Sequence, residues 1–205
     1  MLRLRDPRHM PGARVASGER VALRTAEQDD VPFLQRGSTE PDLRYSLGTP
    51  VRNQEAIEIS DDGSDRFIVC LDGNDAGPGQ PDEVAAFGGS PDDHAPDAVR
   101  RIGMVAVQDA DFKRPELGYW LIPEVHGEGY GTEAVSLAVD YAFRTYDTPA
   151  VGAAAFGFND ASRGLLESLG FTEEGRRREF MFVDGDHRDM VQYGLLREEW
   201  RDGDG

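Results

Sequence analysis

The sequence predicts a mixed α/β fold, and three observations lead there. A glycine-punctuated stretch, PEVHGEGYGTEAV (123–135), joins an aromatic and aliphatic run to a long apolar-rich segment. A second strand-like run, AVGAAAFGF (150–158), precedes the helical pattern NDASRGLLESLGF. Near the C-terminus, FMFVDGDHRDMVQYGLL places two alternating runs about Asp184-Gly185, a type I′ hairpin signal. Strand, glycine turn, helix, strand, helix and hairpin in succession describe layered α/β architecture.

Each element has a local reason. RVALRT (20–25) reads as the first strand, and EQDDVPFLQRG starts a helix with acids in its first turn, where the helix dipole favours them. A second helix is expected around residues 53–60. Strand-like runs follow at 66–71, 84–87 and 102–107, separated by loops whose Gly, Pro and Asp content breaks regular structure. ELGYWLI (116–122) is a short strand closed by Pro123, which has no N–H for a ladder. In TEAVSLAVDYAFRTYD, residues Glu133, Ser136, Asp140, Arg144 and Asp147 form one polar stripe on an otherwise apolar helix, as expected for a helix lying on a sheet. NDASRGLLESLGF puts Ala161, Leu165 and Leu169 on one face, with a cap at Asn159 or Asp160 and Gly170 as terminator.

The totals fit one domain. The chain has 205 residues, and its 39% hydrophobic content supports a core. Residues 1–18 read as a partly ordered N-terminal arm, 19–200 as a single domain with loop insertions near 72–82 and 89–100, and 201–205 as a tail. No stretch reaches the ~20 apolar residues of a membrane span, and the N-terminus lacks a signal-peptide core. The single cysteine, Cys70 in FIVCL, reads as a buried, inert thiol. These features point to a cytoplasmic protein without a membrane partner. The net charge is −17, and one lysine, Lys113, stands against twenty-one arginines. No basic face is available for nucleic acid. The acids are scattered along the chain, which favours a solvated surface of the kind suited to high salt over a field that steers a cationic substrate. His9, His94, His126 and His187 are dispersed and lack ligand spacing, so no metal is expected.

The three glycines Gly127, Gly129 and Gly131 cost chain entropy, so some feature must need bare backbone there. A glycine turn between strand and helix presents free amides at the positive end of the helix, a site for phosphate. The alternative is a tight connection in which glycine only permits close packing. A Walker loop needs Lys-Ser or Lys-Thr after the last glycine, but Thr132-Glu133 follows Gly131. A dinucleotide fingerprint needs two residues before its third glycine, and only Tyr130 intervenes.

From about residue 19 to 200 the chain resembles the GNAT superfamily of N-acetyltransferases, and within it the branch that acetylates ribosomal-protein N-termini. The likeness rests on ELGYWLIPEVHGEGYGTEAVSLAVDYAF and NDASRGLLESLGFTEEGRRREFMFVDGDHRDMVQYGLL, in the family's order and spacing, and on GERVALRTAEQDD. The family's phosphate motif is Gln or Arg, two residues, Gly, one residue, then Gly or Ala. The stretch from His126 to Gly131 matches it except at the first position, where His stands. The resemblance implies a central, mostly antiparallel twisted sheet flanked by helices, with splayed central strands. It implies acetyl-CoA as cosubstrate, its pyrophosphate on the amides of Gly127, Glu128, Gly129, Tyr130, Gly131 and Thr132. Its pantetheine arm would pair with the backbone of Trp120, Leu121 and Ile122, and Asn159 would be a further contact. His126 would touch phosphate when charged, or point to solvent.

Acetyl transfer to an amine needs a neutral amine, a stabilised oxyanion and a leaving sulfur. The resemblance makes Glu116 the base; the alternative for it is an ion pair with Lys113-Arg114. The oxyanion donor would be the amide of Leu121 or Ile122. Many members carry a Tyr four residues before the Gly-Phe pair, but Leu166 stands there. The branch resembled tends instead to place a Ser after the Asn, and Ser162 fits as the group that hydrogen-bonds the sulfur; otherwise it caps its own helix. A coenzyme thiol of pKa ~8.5 leaves fairly well unaided. The function expected is acetylation of a protein or peptide N-terminus. The alternatives are acetylation of a small amine such as a polyamine or aminoglycoside, and a non-catalytic acyl-CoA sensor. The hairpin runs would serve either a homodimer or a monomer.

Overall fold

A computed structural model describes residues 12–57, 59, 63–71, 99–110 and 114–202. One sheet dominates it. In chain order the strands are β1 (Arg14–Ser17), β2 (Val21–Thr25), β3 (Asp65–Leu71), β4 (Arg100–Gln108), β5 (Glu116–Leu121), β6 (Ala150–Phe156), β7 (Thr172–Val183) and β8 (Asp186–Leu196). Their spatial order is β1-β2-β3-β4-β5-β6-β8-β7. Every neighbouring pair is antiparallel except β5 and β6. Among the described residues five α-helices accompany the sheet: α1 (Val31–Thr39), α2 (Pro41–Leu47), α3 (Tyr130–Thr145), α4 (Asp160–Ser168) and α5 (Arg197–Asp202). The mixed, mostly antiparallel sheet expected from the sequence is what forms.

The central strands are buried on both faces, while β1 and β7 at the two edges are mostly exposed. From Phe67 to Leu71, β3 is buried throughout, so an unbroken apolar run, rather than alternation, is its signature. Cys70 lies in that run with no exposed surface. Helix α3 covers the sheet with Ala134, Val135, Ala138, Val139, Ala142 and Phe143, leaving the polar stripe outermost. Arg197 closes its end by donating to the carbonyls of Phe143, Tyr146 and Thr148. The Asp184-Gly185 turn has φ of 50° and 83° at its two residues, the left-handed pair that a type I′ hairpin requires.

Several expectations are corrected. The 1–18 arm is not among them: residues 14–17 form β1, paired with β2, and residues 1–11 lie outside the described set. The helix expected at 53–60 is a single 3-10 turn, Gln54–Ala56, after which Ile57 is extended. Helix α2 was not foreseen. The strand expected at 84–87 and most of the two loop insertions lie outside the described residues. In α4 the fully buried residue is Leu166, while Leu165 is half-buried and Ala161 exposed. The helix is turned from the expected face because Ala161 and Leu165 line a cavity instead.

Candidate active site

The sheet opens at its centre. Strands β5 and β6 run parallel and are joined at two pairs only, Glu116 with Gly152 and Leu117 with Ala153. Beyond Leu117 they part. The ladder on the other side of β5 settles which of its groups face the gap. The Ile122 amide donates to the Ile102 carbonyl at 2.8 Å. Antiparallel pairing alternates in direction, so the even-numbered residues of β5 direct their amides and carbonyls to β4. Tyr119 and Leu121 direct theirs into the gap. This removes Ile122 from the donors and ligands expected from the sequence: its amide is spent on β4 and its side chain is buried in the core. Trp120 likewise offers no backbone to the gap, and it contributes by its side chain. The backbone groups that do face the gap are those of Leu121 and Tyr119.

A cavity of about 500 Å³ passes through this opening. Side chains alternate along β5. Trp120 therefore faces α1, where its ring stacks on Phe33 at 5.4 Å, and Tyr119 faces α4. Leu43, Ser46 and Leu47 of α2 line the cavity on the Trp120 side, and Gly131, Thr132, Ala161 and Leu165 line it on the other. The lining thus has an α2 side and a side at the start of α3.

The glycine stretch forms the wall on the α3 side. After a 3-10 turn at Pro123–Val125, Gly127 and Gly129 take φ of 81° and 82°, and α3 begins at Tyr130. Those two glycines supply the left-handed backbone that a side chain resists. Gly131 answers the close-packing alternative: a Cβ there would meet Leu121 Cδ1 and Leu165 Cδ1, each at 3.0 Å. The first bond of α3 is from the Glu133 amide to the Gly129 carbonyl at 3.2 Å. Among the described residues, no protein group accepts from the amides of 127–132. They stand at the positive end of a sixteen-residue helix. Arg20 straps the turn from outside: Nη1 donates to the Glu128 carbonyl at 2.8 Å, Nε pairs with Glu133 at 3.2 Å, and the guanidinium lies 4.8 Å from the Tyr130 ring centre. Glu133 also accepts from the amides of Arg20 and Val21. No sequence signal marked Arg20, because 113 residues separate it from Glu133.

His126 combines exposure to solvent with a hydrogen bond to the chain. Its ring is exposed, yet Nε2 lies 2.8 Å from the Leu121 carbonyl oxygen. A carbonyl only accepts, so Nε2 carries the hydrogen. The imidazole is folded back on the end of β5, over one of the gap-facing acceptors.

At the start of α4, Asn159 is the cap: its Oδ1 accepts from the Ser162 amide at 3.1 Å. Ser162 is therefore released from capping, and its Oγ lies 2.8 Å from the Tyr119 hydroxyl across the gap. Both residues line the cavity. Burial pushes the Tyr119 phenol up to about 12; the bond to Ser162 opposes this and the nearby Tyr193 adds to it. Leu166 is wholly buried and is not among the cavity's lining, so its position contributes no group to the site.

Glu116 is not in the lining either. Its carboxylate lies over Gly152, where an added Cβ would sit 2.5 Å from Oε1, and pairs with Arg114 at 3.7 Å. Arg114 is held in turn by both oxygens of Glu174, at 2.9 and 2.8 Å. The ion pair considered as the alternative for Glu116 is thus present. Among the described residues the cavity lining includes no Asp or Glu, and its ionisable groups are Tyr119 and His126. Nor do three or more His, Cys, Asp or Glu side chains gather as a metal site among those residues. No described helix is long and apolar enough to cross a membrane.

These features can be set beside known proteins. The family model of the acetyltransferase (GNAT) domain matches residues 20–172. The YdaF protein of Bacillus subtilis (strain 168) is 37% identical over 100 residues, covering 48% of this chain and 55% of that protein. The ribosomal protein uS5-alanine N-acetyltransferase of Escherichia coli (strain K12) is 33% identical over 87 residues, covering 42% and 45%. The chain thus matches about half the length of these relatives. The spermidine N-acetyltransferase of Vibrio cholerae, solved with CoA and spermine, superposes with a TM-score of 0.70 at 20% identity, over 90% of this chain and 99% of that one. The open sheet, the glycine turn and a match over residues 20–172 agree, and this chain belongs to the GNAT acetyltransferase family.

Proposed function

We propose that the protein transfers the acetyl group of acetyl-CoA to the α-amino group of a protein or peptide. The amides of 127–132, at the start of α3, fit the diphosphate of the coenzyme, since they carry no protein acceptor among the described residues. The gap-facing backbone of Tyr119 and Leu121 fits an amide-bearing arm laid along β5. The coenzyme supplies an activated acyl carbon and a thiol leaving group. The chain's own part is to orient and to polarise: the gap-facing Leu121 amide would donate to the thioester oxygen as it gains charge, and Ser162, in the cavity lining, would donate to the sulfur. Asn159 holds the turn that presents Ser162 and lines the same cavity.

The acceptor class rests on one observation, the lack of a carboxylate in the described lining of the cavity. An α-amino group has a pKa of ~7.7–8.0, so an appreciable fraction is neutral at pH 7; an alkylamine at ~10.4 is almost all ammonium. The first needs little help to lose its proton. The second needs a base within reach, and a polyamine also needs acids to hold its remaining charges. Glu116 stands on the Trp120 face of β5 but outside the lining, and serves as a distant proton acceptor through solvent. The N-terminal amine would approach from the α2 side of the lining.

The test is release of CoA thiol from acetyl-CoA, offered peptides with free or blocked N-termini, spermidine and an aminoglycoside, in dilute and in molar salt. Free-N-terminus peptides should be consumed with a kcat/KM at least tenfold above spermidine. Preference for spermidine would assign the small-amine reading. Tight binding of acetyl-CoA without turnover on any amine would leave an acyl-CoA sensor.

A further inference from the structure

Resting on the acetyl-CoA reading, we propose that Tyr119 is a positioning residue that turns the Ser162 hydroxyl toward the coenzyme sulfur. The two side chains meet across the opening of the sheet, one from β5 and the other from the first turn of α4. Tyr119 Oη lies 2.8 Å from Ser162 Oγ and 3.3 Å from the Ser162 carbonyl oxygen. The phenol has one hydrogen and two acceptors within reach. If it donates to the carbonyl, Ser162 donates back to the phenol and its hydrogen is occupied. If it donates to Oγ, the serine hydrogen is released for a third partner. Passing from one arrangement to the other takes two hydroxyl rotations and no movement of heavy atoms. Negative charge on a sulfur in the cleft selects the second arrangement, because it leaves Oγ both donating and accepting.

Tyr119 is a donor of a hydrogen bond here and not of a proton. The phenol, at about 12, lies more than three units above the ~8.5 of a free thiol, so transferring its proton to sulfur is disfavoured by roughly a thousandfold. The groups near the pair do not supply a proton route either. Tyr193 of β8 donates to Glu167 and accepts from Arg163 Nε, both on α4. His126, from the turn before α3, donates to Leu121. The site therefore assists the sulfur by a two-membered donor chain built on β5, in place of a tyrosine at position 166.

A readout independent of turnover tests this. Calorimetry first establishes that CoA binds, and the ultraviolet absorbance of the thiolate then gives the titration of the bound thiol. In the wild type that thiol should titrate on the order of one unit below free CoA. Tyr119→Phe and Ser162→Ala should each remove most of the shift, and the double variant should remove no more than Ser162→Ala alone. With the preferred acceptor, Tyr119→Phe should lower kcat about tenfold and leave the KM for acetyl-CoA unchanged. Ser162→Ala keeps the Asn159 cap, which uses the backbone amide, so it remains informative if the Phe variant fails to fold; a bound thiol in it that still titrates as in the wild type overturns the proposal. So does Tyr119→Phe that binds CoA and titrates like the wild type, or a double variant whose losses add. A protein that shows no heat with CoA at all refutes the coenzyme reading itself, which is a separate result.

Discussion

Replacing Gly164 by Ala separates stability from ligand binding with opposite signs. Gly164 lies inside α4, and an added Cβ there meets no atom within 4 Å. Removing a helix-interior glycine gains about 0.5–1 kcal/mol through the entropy of the unfolded chain. For a chain of 205 residues, where each kcal/mol moves the melting temperature by about 2–4 °C, the expected rise is roughly 1–4 °C. The space that accepts the methyl is the cavity itself, because Gly164 lines it along with Ala161, Leu165 and Ser168. These positions form one face of α4, at steps of three and four residues. A coenzyme lying along that face must give way to the methyl, and overpacking of this kind costs about 1–3 kcal/mol. The dissociation constant for acetyl-CoA should then rise about 5- to 150-fold. A thermal melt of the free protein and calorimetry with acetyl-CoA measure the two effects on one sample. A higher melting temperature with an unchanged dissociation constant would show that the coenzyme does not lie along α4, and would refute the placement of its arm.

Three further outcomes follow from the same geometry. Glu116→Gln should lower kcat no more than about tenfold for an α-amino acceptor and by a larger factor for an alkylamine, with the KM for acetyl-CoA unchanged, as steady-state kinetics on paired substrates will show. Gly129→Ala forces a Cβ into φ of 82° and to 3.0 Å from Arg20 Nη2. It should cost about 1–2 kcal/mol in denaturant unfolding and weaken coenzyme binding, since the strapped turn cannot keep its shape. Between pH 10 and about 12 stability should fall as pH rises. The Tyr119 phenol is protonated in both states below 10, and above that the unfolded chain ionises first because its pKa lies below the folded value of about 12. Tyr141 and Tyr193 are raised in the same direction, so the comparison is with Tyr119→Phe, whose alkaline loss should be smaller by the share of this one phenol.

What was legible in the sequence was what local chemistry decides. Glycine at 127, 129 and 131 announced bare backbone, and the structure gives it two separate causes, positive φ at the first two and side-chain contact at the third. Asp184-Gly185 and the acids ahead of Val31 were equally local signals. Helix α2 was framed by Pro41 at its start and Gly48, at φ 64°, at its end, the asymmetry expected of a helix. At seven residues it was too short for periodicity to reveal it. The roles of Tyr119 and Ile122 were beyond local reading. Which residues of β5 face the gap depends on the pairing with β4, and the partner of Tyr119 lies 43 residues away. Parity along β5 turns the Leu121 backbone toward the gap and the Ile122 backbone toward β4.

The narrow join between β5 and β6 also bears on how the molecule holds together. Force crossing the sheet from β4 to β8 has only two rungs to travel through, at 116–117 and 152–153, with the Tyr119–Ser162 strut and the helices as the other ties. Any molecule that bonds to the gap-facing backbone of Tyr119 and the Leu121 amide, beside the carbonyl that His126 already holds, becomes a rung itself. For this architecture, gripping a ligand and stiffening the scaffold are the same event.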